Sequence, residues 1–394
     1  MYNLNLNEEQ IAIRDTVSDF VKNEITPVAL HPDRLEPFDP PLPSELIDQA
    51  AELGLRALSV SEEYGGAGAD GLTSCIVAEE LAVGDADVAS VLAETANLAG
   101  VLFGKLLNKE QRERLLPAFL EDNQYHIALA NSEADSDSWV GNNYAHSKTS
   151  SSQINTRAVQ DANGNWIING TKTRISNATV AKLFVVQADT KEGQILLIVP
   201  KEAGGIMVNE VDRDGGWYIG SCGDIIFTDC MVSAENIIDL NTMDVFENIG
   251  ISCAINVGVA RAAFEAAVEY SKIRIQGGGP IIQHQAIGAK LAEVAISLEV
   301  ARTIIWRAVW TLDNKSTMSE GNLTSLPLNN IAHISSAEIL YKAAKDSAEC
   351  FGAMGVMRDM PLQKFIHQTR MFLHRSSGND DSKLQIAEVV AGFE

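Results

Sequence analysis

The 394-residue sequence predicts a mainly α-helical protein with a central β domain. Apolar residues recur at helical spacing up to about residue 125, give way to the alternation typical of strands, and return to helical spacing from residue 241. We therefore expect an N-terminal helical domain (1–125), a β-barrel-like middle domain (126–240) and a C-terminal four-helix bundle (241–394). At roughly 150 residues per domain, the length fits two or three domains.

Helical spacing and helix-ending residues define the elements of the first domain. A glycine-rich stretch at 61–70 interrupts them and indicates a loop. Asp87 is a candidate N-cap for the last helix of this domain, because an aspartate side chain can accept hydrogen bonds from the free backbone amides of the first helical turn. The predicted helices are Glu8–Val28, Ser44 to near Gly54, Leu72–Val83 and Asp87–Leu107.

Short apolar runs separated by turns define the middle domain, and four long apolar-periodic segments define the last one. The strands predict a compact β unit, either a barrel or a sandwich, and the helices predict an antiparallel bundle. The predicted strands are 153–159, 166–170, 184–188, 195–199 and 224–227. The predicted bundle helices are Val245–Ile273, His284–Leu312, Asn329–Met354 and Pro361–Leu373.

Composition narrows the function classes. The formal net charge of −23 disfavours binding to nucleic acid or to an anionic membrane surface. No apolar run approaches the roughly 20 residues of a membrane span, and the N-terminus lacks the basic and apolar regions of a secretory signal. The five cysteines form no CxxC pair and are interpreted as reduced, mostly buried thiols. A cytoplasmic location is expected.

Common catalytic motifs are missing from the sequence. It contains no P-loop, GxGxxG, HExxH or GxSxG pattern, and no paired Cys/His arrangement that predicts a metal site. The seven histidines are scattered and are interpreted as structural. Acyl-transfer hydrolysis and metal chemistry therefore have no support from motifs.

Several segments, in order over about 330 residues, resemble the acyl-CoA dehydrogenase flavoprotein family. Each is weak alone, and the shared order and spacing carry the resemblance. The segments are Leu53-Gly54-Leu55 with Glu62 to Gly68, Asn169 to Ala178 (NGTKTRISNA), Ser233 to Asn236 (SAEN), Arg274 followed by Gly278 to Ile287, and Gly352 to Gly355 before Pro361.

The resemblance implies an FAD enzyme that acts on an acyl-CoA thioester. In the family, a base removes the α-proton while the β-hydrogen leaves as hydride to the flavin, and hydrogen bonds to the thioester carbonyl stabilise the developing charge. It places Ser176 beside the reactive edge of the flavin, with Leu129 and Ala130 on the facing loop. It places Arg274 on the flavin pyrophosphate of a neighbouring subunit, with a solvated helix-end cation as the alternative. Ser136 matches a serine that binds the substrate phosphate, or it is a turn hydroxyl.

The sequence departs from the family at the expected cofactor site. Ala130 replaces a flavin-contacting threonine, Arg174 replaces a tryptophan, and Gly277 replaces an aromatic residue. Glu349 replaces a glutamine and brings an anion near the expected pyrophosphate, unless it is held by a cation such as Lys345, four residues earlier on the same helix face. In the glycine turn Gly352 is kept, and Ala353 stands where the second glycine is usual.

The expected catalytic base is also replaced. A gap-free count from Gly352 aligns the family motif Y-E-G-T with residues 375–378, so that Arg375 occupies a substrate-binding position and Ser376 stands for the glutamate. A serine hydroxyl is too weak a base to act alone, although the backbone N–H of Ser376 can still donate to a thioester carbonyl. The alternative position on the first bundle helix is Asn248. Its neighbour Glu247 and the pair Asp380 and Asp381 are candidate bases, unless the two aspartates only cap a final helix over Ser382–Val390.

Three function hypotheses follow. The first is an FAD-dependent oxidoreductase that acts on an acyl thioester with an aspartate or a displaced glutamate as base. The second is a non-catalytic or half-site subunit that pairs with an active paralogue, motivated by Ser376, Glu349 and Ala353. The third is altered flavin chemistry, such as oxygenation or non-oxidative cleavage. The resemblance also implies a homotetramer, or a heterotetramer with a paralogue, and electron-transfer flavoprotein as a candidate electron acceptor.

Overall fold

The computed structural model describes residues 5–35, 41–134, 154–211, 219–238, 246, 249–314, 326–374 and 379–392. The helices are α1 (Glu8–Phe20), α2 (Thr26–Ala29), α3 (Pro32–Leu35), α4 (Ser44–Glu52), α5 (Gly71–Gly84), α6 (Ala86–Val101), α7 (Lys109–Glu121), α8 (Ile249–Ile273), α9 (Gln285–Asp313), α10 (Leu328–Glu349), α11 (Leu362–Met371) and α12 (Asn379–Ala391). The strands are β1 (His126–Ala130), β2 (Arg157–Gln160), β3 (Trp166–Ser176), β4 (Ala181–Thr190), β5 (Gly193–Pro200), β6 (Ile206–Glu210), β7 (Cys222–Val232), β8 (Ile237–Ile238), β9 (Ile275–Gln276) and β10 (Gly279–Pro280).

The chain divides into two compact units. Unit 1 contains residues 1–41, 70–90 and 248–394, and unit 2 contains residues 42–69 and 91–247. Helices from both ends of the sequence, α1–α3 and α8–α12, thus belong to unit 1, whereas β1–β8 belong to unit 2 together with α4 and α7. The expected class, helical at both ends with a central β domain, is confirmed.

Unit 2 is built on a mixed sheet. The described strands follow the order β6-β7-β3-β2-β4-β5-β8, with β1 parallel to β4. Successive β4 residues point to opposite faces, so Leu183 and Val185 join one hydrophobic cluster while Phe184 and Val186 join another. The first cluster includes residues of α6 and α7 such as Leu98 and Phe119. The second cluster draws only on the strands and on Ala178 and Ala203, in agreement with a barrel-like arrangement.

Unit 1 contains the C-terminal bundle with α1–α3 and α5. Glu79 and Glu80, buried on α5, bind two arginines of the bundle. Arg261 on α8 lies 2.9 Å from Glu79 and 2.6 Å from Glu80, and Arg302 on α9 lies 2.8 Å from Glu79. Each buried carboxylate therefore has a cationic partner, without which its burial would be strongly unfavourable.

Two expectations about the N-terminal helices were wrong in detail. Asp85, not Asp87, caps α6, because its Oδ1 accepts from the amides of Asp87 and Val88 at 2.9 and 3.2 Å. Helix α7 was not predicted, although Asn108 and Gln111 form a reciprocal capping box at its start.

The expectation that no segment is long and apolar enough to span a membrane was also wrong. Ala86–Leu106 and Gly250–Ile273 meet that test by length and composition. In the most apolar stretch of each helix, 78% and 67% of the residues, respectively, are buried inside the protein. Such burial is typical of core helices. The structure describes all five cysteines, of which four are buried and none forms a disulfide bond, as expected of reduced thiols.

Candidate active site

The ends of β1 and β3 lie side by side in unit 2. The amide of Thr173 donates to the carbonyl oxygen of Ser132, just beyond β1, at 3.0 Å. Ala130 is fully buried in the sheet core, and Leu129 packs partly buried against the helix-facing cluster. Two of the segments expected to face the flavin are thus brought together. The expected contacts of Leu129 and Ala130 with the cofactor stay predictions.

A buried ion pair joins the same two segments. Nζ of Lys172 lies 2.8 Å from Oε1 of Glu133, and the two side chains are 0% and 3% exposed. Glu133 also accepts from the amides of Asn155 at 2.6 Å and Thr156 at 3.0 Å. Burial opposes the charged form, but the hydrogen bonds from Lys172 and Thr156 outweigh it and lower the pKa of Glu133 to about 2. The carboxylate is therefore a fixed anchor for the loop after β1.

Strand β3 is irregular where it approaches Ser176. Its register with β7 shifts between Lys172 and Ile175, and Arg174 has a left-handed backbone with φ 53°. The amide of Arg174 donates to Oδ1 of Asp224 at 2.8 Å, and the residue is exposed. Such a bulge re-aims the residues that follow it. Ser176, paired with Cys222 and half-buried, ends the strand.

A buried polar network continues from Ser176. The side-chain Nδ2 of Asn177 lies 3.2 Å from Oγ1 of Thr95, which lies 3.1 Å from Nδ1 of His126. Burial, together with the positive charge of Arg56, lowers the pKa of His126 to about 4, so the ring is neutral near pH 7. This network was not predicted from the sequence, because neither Thr95 nor His126 stands in a recognisable motif.

In unit 1, Arg274 follows the last turn of α8. Its amide donates to the carbonyl oxygen of Tyr270 at 2.9 Å, and its exposed guanidinium contacts Oε1 of Gln276 at 3.3 Å. Among the described residues, no carboxylate forms an ion pair with it. Gly277 and Gly278, with φ 61° and 97°, turn the chain into the β9–β10 hairpin. Arg274 therefore presents a positive charge at an exposed helix end.

The glycine turn lies beside the end of α8. The ring of Phe351, just before Gly352, stacks on Tyr270 with centroids 4.1 Å apart. Gly352 has φ 57°, and a Cβ there would meet nothing within 4 Å, whereas a Cβ on Gly355 would lie 2.5 Å from the carbonyl oxygen of Ala348. Gly355 is therefore the glycine that close packing requires, while Gly352 and Ala353 remain exposed.

Glu349 is held by a cation, but not by the one that its spacing suggests. Lys290 on α9 forms a short ion pair with Glu349 and lies 3.8 Å from Asp346. Lys345, four residues before Glu349, instead lies over the ring of Tyr341 at 5.4 Å. The anion that departs from the family pattern is therefore neutralised within unit 1.

Comparison with known proteins decides the family. Models of the acyl-CoA dehydrogenase N-terminal, middle and C-terminal domains match residues 7–123, 145–230 and 243–387. The chain belongs to the acyl-CoA dehydrogenase family. It is 28% identical to an acyl-CoA dehydrogenase of Bacillus subtilis over 99% of this chain and 100% of the relative. It is 30% identical to benzylmalonyl-CoA dehydrogenase of Aromatoleum aromaticum over 98% and 99% of the two chains.

Solved structures show that the fold is shared. Butyryl-CoA dehydrogenase from Megasphaera elsdenii superposes with a TM-score of 0.82 at 23% identity, covering 99% of this chain and 100% of that chain. A glutaryl-CoA dehydrogenase from Mycobacterium smegmatis in complex with FADH2 superposes with a TM-score of 0.81 at 19% identity, covering 98% and 95%. The acyl-CoA dehydrogenase family is one of FAD-dependent oxidoreductases that act on acyl-CoA thioesters, which confirms the expected cofactor and substrate class.

Two residues that the structure of this protein describes are suited to binding FAD. The exposed guanidinium of Arg274 matches paired phosphate oxygens in charge and geometry. The left-handed Gly352 leaves room for a ligand beside its backbone. Within the described ranges, no group of three or more His, Cys, Asp or Glu side chains could hold a metal ion.

Four of the six candidate base and substrate-binding residues lie outside the part of the chain that the structure describes. Ser136, Glu247, Arg375 and Ser376 are outside the described residues. Asp380 and Asp381 belong to the first turn of α12, which begins at Asn379, earlier than the expected Ser382. Both aspartates therefore lie inside the helix and not before its first residue, so the predicted capping of a helix that begins at Ser382 is wrong.

Proposed function

We propose that this protein binds FAD and an acyl-CoA thioester, and that the family's α-proton acceptor is missing at Ser376. The observation that carries the proposal is the joining of the β1 loop to the Ser176 strand by Lys172 and Glu133, in a chain of this family. The flavin supplies the hydride acceptor, and the protein supplies the binding surface and the donors to the thioester carbonyl. Removal of the α-proton then depends on Asp380, Asp381 or Glu247.

The second candidate function is that of a half-site subunit, but one of the three substitutions that support it now carries less weight. Glu349 suggested a repulsive anion beside the pyrophosphate, and Lys290 neutralises it. Ser376 and Ala353 are the remaining motives. The third candidate, oxygenation or non-oxidative cleavage, rests on Ser376 alone. If this chain, expressed without any paralogue, reduces its bound flavin with an acyl-CoA, the half-site hypothesis is excluded.

We propose a homotetramer in the cytoplasm, with electron-transfer flavoprotein as electron acceptor. An uncharged exposed stripe on α9, formed by Ala289, Ala292, Ile296, Val300 and Thr303, supports contact with a second copy. Ile296 is 63% and Val300 53% exposed. Ile296→Asp should reduce the molar mass measured by light scattering, whereas Ile11→Asp on α1 should leave it unchanged. The same mass for both variants would contradict this use of the stripe.

Flavin reduction tests the chemistry. Purified protein should carry FAD and show little bleaching with straight-chain saturated acyl-CoAs, because a positioned base typically contributes about 10²–10⁴-fold. Ser376→Glu should restore reduction if the thioester binds beside residue 376. If the wild type bleaches, Asp380→Asn, Asp381→Asn and Glu247→Gln are compared, and the true base should lose at least about two decades of rate. Full activity in all three variants would refute the proposed loss of the family glutamate.

A further inference from the structure

Asn177 lies immediately after Ser176 and holds an unusual backbone conformation. Its φ of 63° is left-handed, which asparagine tolerates better than most residues. The residue is 1% exposed, and its amide donates to the carbonyl oxygen of Ser221 at 2.7 Å. The direction in which the chain leaves Ser176 is therefore set by how Asn177 is held.

Three acceptors surround the side-chain nitrogen of Asn177. Nδ2 lies 3.1 Å from the carbonyl oxygen of Val91, 3.2 Å from Oγ1 of Thr95 and 3.3 Å from the carbonyl oxygen of Ile127. Carbonyl oxygens only accept, so the amide nitrogen must face them and the side chain cannot be reversed. Nδ2 shares two hydrogens among these three acceptors and cannot itself accept, so in its contact with Thr95 the hydroxyl oxygen is the acceptor.

The hydroxyl of Thr95 also forms a hydrogen bond with His126. Its oxygen, which accepts from Asn177, lies 3.1 Å from Nδ1 of His126. The hydroxyl donates to Nδ1 when the ring proton is on Nε2, and it accepts a second hydrogen bond when the proton is on Nδ1. In either tautomer Thr95 is the shared hydrogen-bond partner of Asn177 and His126.

The hydrogen bonds of Thr95 lead to the segments of the candidate site. His126 and Ile127 begin β1, which leads to Leu129 and Ala130. Asn177 follows Ser176 at the end of β3. Thr95 lies on the part of α6 that belongs to unit 2, between the end of β3 and the start of β1. A single hydroxyl therefore ties together both strand segments that are expected to face the flavin.

We propose that Thr95 is a positioning residue for the flavin site, which acts through Asn177 on Ser176. The inference rests on the proposed contact between Ser176 and the flavin. Thr95 itself touches no reacting atom. Loss of its hydroxyl leaves Asn177 and His126 without their shared partner, and Ser176 then changes its hydrogen bonding to the flavin.

The test measures the bound flavin rather than catalysis. Thr95→Val keeps the shape of the side chain and removes the hydroxyl, and Thr95→Ser restores it. Asn177→Gly keeps the left-handed backbone and removes the side-chain anchor, which gives a second variant if Thr95→Val does not fold. Ser176→Ala reports on the flavin contact itself. Each holoprotein is examined for FAD content, visible absorbance and reduction potential.

Thr95→Val and Asn177→Gly should shift the absorbance maximum and the potential in the same direction as Ser176→Ala, and Thr95→Ser should match the wild type. Thr73→Val is a matched control, because this buried hydroxyl in unit 1 also accepts from a side-chain amide, that of Gln10 at 3.2 Å. It should leave the flavin unchanged.

Two results separate the inference from the proposed function. A wild-type flavin in Thr95→Val and Asn177→Gly, with a shifted one in Ser176→Ala, overturns the positioning role alone. An unchanged flavin in Ser176→Ala overturns the proposed placement of Ser176, and the inference with it. An equal shift in Thr73→Val would show a general loss of packing and also overturn the inference.

Discussion

Lys172 and Glu133 form an ion pair of 2.8 Å with almost no exposure to solvent. Removing one partner of such a pair leaves a buried charge and typically costs about 3–5 kcal/mol. We expect Lys172→Met to lower the free energy of unfolding toward the low end of this range, because two backbone amides still bind Glu133. Urea unfolding measures the loss.

The exposed pair Lys383–Glu338, 2.9 Å apart, provides the control. Lys383→Met should cost less than about 1 kcal/mol, as is usual for surface ion pairs. Equal losses in the two variants would show that the burial of Lys172 has no energetic importance.

Arg274→Ala should weaken FAD binding by about one to two decades, because a charge-assisted hydrogen bond contributes roughly 1.5–3 kcal/mol. Titration of the apoprotein with FAD measures the change. Lys272→Ala is the control, since this cation lies two residues earlier, is exposed and is paired with Glu269 at 2.6 Å. Stoichiometric FAD in purified Arg274→Ala at micromolar protein would contradict the pyrophosphate assignment.

Lys290, rather than Glu349, should control the charge near the glycine turn. Lys290→Ala releases the negative charge of Glu349 and should weaken FAD binding, more strongly at low salt where screening is slight. Glu349→Gln should change the affinity less, because the glutamate is already neutralised. Lys342→Ala, which removes a different cation beside Asp346, serves as control. A large tightening by Glu349→Gln would show that the anion faces the pyrophosphate after all.

His126 should make stability depend on pH. Its pKa is lowered to about 4 in the folded protein, so the unfolded chain binds more protons between pH 6.5 and pH 4. The stability that the neutral ring contributes is complete above pH 6.5 and is lost as the pH falls through this window, by about 3 kcal/mol in total. Thermal melts of the wild type and His126→Asn across the window measure it.

Carboxylates titrate in the same range, so the difference between the two proteins is the informative quantity. The wild type should lose more stability than His126→Asn from pH 6.5 to pH 4. Parallel curves would show that the pKa of His126 is the same in the folded and the unfolded protein.

Periodicity predicted the long helices and the strand-rich middle, because both depend on local repetition of apolar residues. It could not predict that Glu79 meets Arg302, since that contact joins residues 223 positions apart. The cap of α6 was misassigned for a related reason. Asp85 and Asp87 are residues of the same type two positions apart, so the sequence does not show which of them is the N-cap. Only the backbone conformation of Asp85, with φ −153°, distinguishes them.

The candidate site was predicted only where the family motif supplied residues. Ser176 and Arg274 came from such motifs, and the structure places them at the ends of β3 and α8. The partner of Glu349 was missed, because spacing along α10 suggests Lys345, whereas Lys290 comes from a neighbouring helix. Thr95 and His126 carry no sequence signal, because a hydroxyl and an imidazole acquire their role only when folding buries them together.

The discontinuity of unit 1 has a consequence for synthesis. Glu79 leaves the ribosome 182 residues before Arg261, the first of its two arginine partners, which is about ten to thirty-five seconds at roughly 5–20 residues per second. During that interval the carboxylates of Glu79 and Glu80 have no guanidinium to bury against. Helix α5 must therefore stay in water or bind a chaperone, while the intervening strands of unit 2 already have most of their own partners. Nascent chains stalled before Arg261 should expose α5 to proteases and protect the sheet.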